Sequence, residues 1–227
     1  MSSEIPGEER SGPASSLERL PSGYSSWQDY AAHLERLAEE SEKKSLRLTQ
    51  ERDLYQHRAS TDPLTDLWNR AAFERLLEAD ISHARRSEEP LSLAMFDVDL
   101  FKKVNDGYGH QEGDKVLKGF ASYLQKSLRG GDKVARYGGE EFAAIMPHTA
   151  GETAFSILNR LREGWNSHYP TLKLGPEEVT FSAGVAELQN VDTANSLIYR
   201  ADKIALYKAK DSGRDCVVLA DPPEASG

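Results

Sequence analysis

The chain has 227 residues, enough for one domain with a full hydrophobic core plus an appendage and short for two ordinary domains. Its formal net charge of −9 argues against general affinity for nucleic-acid backbones, so any phosphate chemistry requires a cation and local basic residues. A single cysteine, Cys216, excludes an intrachain disulfide and a thiolate metal site, which fits a reducing compartment.

Residues 1–26 are rich in Ser, Gly, Pro and Glu with few large apolar side chains, which predicts a disordered tail without the apolar segment of a signal peptide. Residues 221–227 are expected to be a second such tail. Nowhere is an apolar run long enough to span a bilayer, so no membrane insertion and a cytoplasmic protein are expected. Residues 27–59 contain neither Gly nor Pro and space Trp27, Tyr30, Leu34 and Leu37 three or four apart, the period of a helix. The stripe falters across residues 41–45 and resumes with Leu48 and Tyr55. So long and polar a helix cannot bury itself against one small domain. It should pair with a second helix, its own copy or a partner protein, the alternative being a solvated single helix.

Thr61-Asp62-Pro63 marks the start of a globular domain expected over residues 60–220. Phe73, Leu76, Leu77 and Ile81 predict a helix within 67–86, interrupted by Glu88-Glu89-Pro90. Leu91–Val98 is an apolar run of strand length, followed by a turn-rich stretch at 105–109 and a helix over 113–128. Segments 133–137 and 142–146 predict two strands of a hairpin around Gly138-Gly139. Helix 152–166, strand 179–188, helix 195–210 and strand 215–219 complete an α/β (α+β) pattern. Helices over a mixed sheet follow, with the sheet's other face or an edge left for substrate.

Asp97 and Asp99 end the apolar run, where ionised carboxylates are costly unless a cation accompanies them. Glu140 and Glu141 follow two glycines at the hairpin tip, where backbone can approach a ligand closely. If the two strands are neighbours, Asp97 and Glu140 converge. An oxygen-only donor set suits Mg²⁺ or Mn²⁺, and two such ions can activate a hydroxyl and stabilise an in-line phosphoryl displacement. Taken singly, each acidic cluster also suits solvated turn residues.

Four separated motifs occur together: Asp62-Pro63-Leu64-Thr65-Asp66-Leu67-Trp68-Asn69-Arg70; Phe96-Asp97-Val98-Asp99-Leu100-Phe101-Lys102 with Asn105, Gly109-His110 and Asp114; Arg136-Tyr137-Gly138-Gly139-Glu140-Glu141-Phe142; and Ala201-Asp202 through Tyr207 to Lys210 with Gly213-Arg214. In order and spacing, they resemble the GGDEF family of diguanylate cyclases, whose members condense two GTP into cyclic di-GMP and two pyrophosphates. The resemblance implies a sheet like that of nucleotidyl cyclases and polymerase palm domains. It matches Asp97, the Val98 carbonyl and Glu140 to metal ligands for two Mg²⁺ per site, with Mn²⁺ as the alternative. Glu141 matches the position that assists the second metal or deprotonates the ribose 3′-hydroxyl.

Asn105 and Asp114 match the guanine-reading pair, consistent with adjacent guanine N–H donors that one carboxylate accepts. Lys102, Lys210 and Arg214 match triphosphate contacts, backbone around Leu100 and Phe101 adds donors, and Gly138 and Gly139 make room for nucleotide. Asp99 is expected to brace the following turn, and His110 to be structural. Arg129 and Asp132 stand in an Arg-x-x-Asp run at the family's product-inhibition site, with Arg160 as a secondary contact. Each domain supplies half of the reaction, so the resemblance implies a catalytic homodimer. The chain places no sensory domain ahead of the helical stalk, so a regulatory protein docking there is expected. The rival expectations are a non-catalytic module that only binds cyclic di-GMP and a stalk-mediated scaffold.

Overall fold

The structure, a computed structural model, describes residues 20–223; the tails expected at 1–26 and 221–227 otherwise lie outside the described residues. The chain divides into two compact units, 1–55 and 56–227. In the first, Ser26 Oγ accepts from the Asp29 N–H at 3.1 Å at the start of α1 (Trp27–Ser60). Tyr24 packs edge-on against Tyr30 at 5.0 Å. Trp27, Leu34, Leu48 and Tyr55 are all exposed, Tyr55 to 71%. They recur on one seven-residue repeat, with Ser41 filling the gap.

The second unit is built on one six-stranded sheet in the order β1-β3-β4-β2-β5-β6. Its strands are β1 (Trp68–Asn69), β2 (Leu91–Val98), β3 (Lys133–Arg136), β4 (Glu141–Pro147), β5 (Phe181–Glu187) and β6 (Val217–Leu219). The central strand β2 pairs antiparallel with both β4 and β5, while β1 runs parallel to β3 and β6 parallel to β5. Every residue of β2 is buried, because helices cover both faces. One face carries Phe96, Phe142 and Phe181 against Phe120 of α4 (His110–Ser127) and Trp165 of α5 (Gly151–His168). The other carries Leu93, Met95 and Ile145 against Phe73 and Leu77 of α2 (Arg70–Ser87) and Leu197 of α6 (Ala194–Tyr199). With both faces occupied, the strand ends rather than a face are left for ligand.

Three local expectations change. The stretch expected to be turn-rich is largely helix α3 (Phe101–Tyr108): Phe101 and Val104 are buried, and packing them overrides the turn preference of Asn105-Asp106-Gly107. Only Gly109, at φ 83°, breaks the chain before α4, which starts three residues earlier than expected. The helix expected within 67–86 is α2, which begins at Arg70 because Asn69 caps it by accepting from the Ala72 N–H at 2.9 Å.

The helix expected over 195–210 is in three parts: α6, a π-helical segment Arg200–Leu206, and α7 (Tyr207–Asp211). The π segment lies directly on β5, where a side chain at Gly184 would fall onto the Ala201 carbonyl oxygen and the Leu206 nitrogen. Gly184→Ala should therefore cost about 3 kcal/mol of stability. A thermal midpoint equal to that of the unsubstituted chain would show that the π segment yields freely.

Candidate active site

Alternation along β2 points Phe96 into one core and sends Asp97 to the face that carries Met95. Asp97 is 6% exposed, and its Oδ2 lies 2.7 Å from Lys210 Nζ of α7. Burial pushes its carboxyl up to about 6, against the lowering pull of Lys210 and with a further push from Glu140 and Glu141. The expected strand neighbourhood is present: Asp97 pairs in register with Glu141, and the Val98 N–H donates to the Glu140 carbonyl at 3.2 Å.

The hairpin closes through the Tyr137 and Gly138 N–H groups, both donating to the Glu141 carbonyl at 2.8 and 3.1 Å. The Glu141 carboxylate folds over Gly138, in space that a Cβ there would take, whereas Gly139 faces open space. Arg136 fastens the tip from outside, donating to the Gly139 carbonyl at 2.7 Å and to Asp62 at 3.1 Å. Asp62 belongs to the turn before α2, where its carboxylate also accepts from the Thr65 N–H and hydroxyl.

Past β2, Leu100 takes the left-handed conformation at φ 54° and opens α3, which sends Lys102 to solvent. Asn105 of α3 lays its carboxamide on Gly113 of α4, one residue before the exposed Asp114, so the two expected guanine contacts are brought together. Asp99 is 5% exposed and accepts from Thr180 Oγ1 at 2.8 Å, Ser182 Oγ at 2.7 Å and the Asp215 N–H at 3.0 Å. Sequence reasoning does not single out Thr180 and Ser182. Their signal is a hydroxyl residue on either side of Phe181, where the otherwise largely apolar β5 begins. Arg214 is exposed and makes no side-chain hydrogen bond or ion pair among the described residues.

Arg129 and Asp132 are also brought together: Nε lies 3.0 Å from Oδ1, and a second guanidinium nitrogen donates to Thr149 Oγ1 at 2.7 Å and to the Pro147 carbonyl. They line a cleft of about 320 Å³ with Trp68 and His57, whereas Arg160 is exposed on α5 and is not among the lining residues.

Among the described residues, no three Asp, Glu, His or Cys side chains converge as a finished metal cage. The chemistry of the donors nevertheless fits a hard divalent cation. Asp97 is a desolvated carboxylate with further acidic groups beside it, and the donors are all oxygen. Because folding raises the Asp97 pKa from 3.8 to about 6, the stability it supports is present at low pH and lost as pH rises through about 6. The metal-free chain should therefore melt lower at pH 7 than at pH 5 through this group. Added Mg²⁺ should raise the melting temperature more at pH 7, where proton competition for Asp97 is weaker than at pH 5. Asp97→Asn should flatten both effects; if they persist in that variant, another group causes them.

Among the described residues, no helix is long and apolar enough to cross a membrane. Residues 59–216 match the family described as "Diguanylate cyclase, GGDEF domain". Diguanylate cyclase DgcP of Pseudomonas aeruginosa is 42% identical over 163 residues, which cover 72% of this chain and 24% of DgcP. Thus the chain spans about a quarter of that relative's length. The coiled coil and GGDEF domain of DgcB from Caulobacter crescentus, solved with c-di-GMP, superposes with a TM-score of 0.75 at 33% identity, covering 82% of this chain and 99% of that one. The diguanylate cyclase SiaD of Pseudomonas aeruginosa, solved with its activator SiaC, gives a TM-score of 0.66 at 36% identity, covering 85% of this chain and 75% of SiaD.

Proposed function

The chain belongs to the GGDEF family of diguanylate cyclases, and from that premise we propose that it condenses two GTP molecules into cyclic di-GMP at the face between two subunits. The observation that carries the proposal is the buried Asp97 carboxylate, held 2.7 Å from Lys210 at the end of β2 where Glu140-Glu141 enters the neighbouring strand. The carboxylate we assign to the metal and the cation we assign to phosphate lie side by side.

Asn105 and Asp114 read the guanine edge, Asp114 taking the adjacent N1–H and N2–H donors. Lys102, Lys210 and Arg214 hold the triphosphate and offset the charge that grows on the leaving pyrophosphate. The backbone around Leu100 and Phe101 donates N–H groups to the phosphates, and the open side of Gly139 admits the nucleotide. Asp97, the Val98 carbonyl, Glu140 and Glu141 would hold Mg²⁺, two ions per site. When bound, the metal neutralises phosphate charge and lowers the pKa of the attacking hydroxyl. In each half-reaction the 3′-oxygen of one GTP bonds to the α-phosphorus of the other. The bond from that phosphorus to the α,β-bridging oxygen breaks, and pyrophosphate leaves. Glu141 takes the hydroxyl proton.

Because one subunit aligns only one GTP, turnover requires a second facing it, and α1 is the element that brings the two together. SiaD was solved with an activator protein, which supports regulation of this chain too by a bound protein; here we place that docking on α1, where it would set the dimer. Arg129 and Asp132 form the product-inhibition site, with Arg160, exposed on α5, as a secondary contact to the bound product. Incubating the purified chain with GTP and Mg²⁺ tests the central claim. Cyclic di-GMP and pyrophosphate in a ratio of about one to two are expected. GTP left intact, or hydrolysed only to GDP, would overturn it.

A further inference from the structure

Three consecutive residues after α7 lie in the left-handed region: Gly213 at φ 111°, Arg214 at φ 67° and Asp215 at φ 45°. Glycine adopts this conformation without penalty, but for Arg and Asp it costs on the order of 1 kcal/mol or more each, so the surroundings must hold it in place. The means are visible on both sides. From the sheet, Asp99 accepts the Asp215 N–H at 3.0 Å, while Ser182 and Thr180 fix the Asp99 carboxylate. From α5, Arg162 Nη1 donates to Asp215 Oδ2 at 3.1 Å, and Asn166 Nδ2 donates to Oδ1 at 3.1 Å.

These clamps are costly in their own right. Among the described residues, Arg162 Nε and Asn166 Oδ1 are buried without a hydrogen-bond partner, and each such atom carries a desolvation cost. What the clamped run presents is the exposed guanidinium of Arg214. It does so one residue from a backbone N–H tied to Asp99, which stands two residues along the chain from Asp97. A second tie, from the Arg214 N–H to the Ala209 carbonyl at 3.2 Å, links the run to the helix that carries Lys210.

We propose that Asp99 and the Arg162–Asp215–Asn166 cluster are positioning groups for the substrate triphosphate, holding the left-handed run so that Arg214 meets the phosphates that Lys210 also meets. The proposal rests on the assignment of Arg214 and Lys210 to phosphate binding. Asp215 does not touch the nucleotide. It acts through Arg214, and Asp99 acts through the Asp215 backbone. Conserving charge at Arg214 is therefore not enough; the backbone under it must stay left-handed.

The test measures GTP and GMP affinity of the full chain with Mg²⁺ present, for Asp215→Asn, Arg214→Ala and the double variant. Asp215→Asn should weaken GTP about tenfold, the size of one charge-assisted contact, with GMP unchanged because Asn105 and Asp114 are untouched. It should raise KM for GTP by a similar factor with kcat little altered. The double variant should bind GTP no worse than Arg214→Ala alone, as two residues acting through one contact require. Asp99→Asn approaches the same link from the sheet. It is scored by the ratio of GTP to GMP affinity, which partial loss of folded protein leaves unaltered. Equal weakening of GTP and GMP, or additive losses in the double variant, would reduce the cluster to a structural role and overturn the proposal. If Arg214→Ala itself leaves GTP affinity unchanged, the phosphate assignment of Arg214 fails instead.

Discussion

Replacing Asp97 by Asn is expected to lower cyclic di-GMP formation by at least about a thousandfold while leaving the folded chain no less stable at pH 8. The two halves of this expectation come from the same burial. An ionised carboxylate at 6% exposure carries a desolvation penalty that the 2.7 Å contact with Lys210 does not cancel, since the pKa remains raised to about 6. A neutral amide of the same shape removes that penalty and loses the ion pair, and the raised pKa says which of the two is larger. Lys210 is one-third exposed and can rehydrate. In the proposed reaction the amide is also a much poorer ligand for a hard cation, so the site fails where the fold does not. Activity assay and thermal melt on the same preparation separate the outcomes. Retained turnover would move the metal site away from Asp97. A large fall in melting temperature would mean that the Asp97–Lys210 pair is structural.

Much of this site was legible because its side chains sit in short contiguous runs whose spacing fixes their geometry. Asp97 stands near the end of a strand buried on both faces, and the Gly138-Gly139 hairpin sets Glu141 opposite it. An apolar strand and a glycine hairpin are both local patterns, and together they suffice to bring the acidic clusters side by side. The helix α3 was not legible, because Asn105-Asp106-Gly107 favours a turn locally. The burial of Phe101 and Val104 against α4 decides otherwise. The π-helical segment was equally hidden. It depends on the absence of a Cβ at Gly184, on a strand remote in sequence. The bracing of Asp99 by Thr180, Ser182 and the Asp215 backbone spans more than eighty positions in the chain, and no local pattern announces it. What the sequence lacked in each case was a tertiary contact, not a motif.

A chain beginning at Gln56 should keep its fold and GTP affinity and lose about a hundredfold in turnover at micromolar concentration, because the proposed pairing of two subunits through α1 would be lost. Gln56 is the proper starting point. It keeps the Ala59 carbonyl, which accepts from Asn69 Nδ2 at 2.9 Å, and the His57 carbonyl, which accepts from the Thr61 N–H at 3.0 Å. It discards Trp27, Leu34, Leu48 and Tyr55, all of them exposed on α1. The seven-residue spacing of these four makes a narrow seam suited to a parallel partner helix. Three positions after each of them and after Ser41, however, the residues pass from Tyr30 and Leu37 to Lys44, Glu51 and Arg58. In an in-register parallel pair each of these charges meets its own copy, so the second half of the seam should hold less firmly than the first. Leu34→Lys should then dissociate the dimer nearly as fully as the deletion, whereas Leu48→Lys should weaken it less. Sedimentation and turnover measured across a concentration series check both, since raising the protein concentration should restore activity to the shortened chain. Turnover per subunit that is independent of concentration, and equal to that of the full chain, would show that the facing subunits assemble without α1.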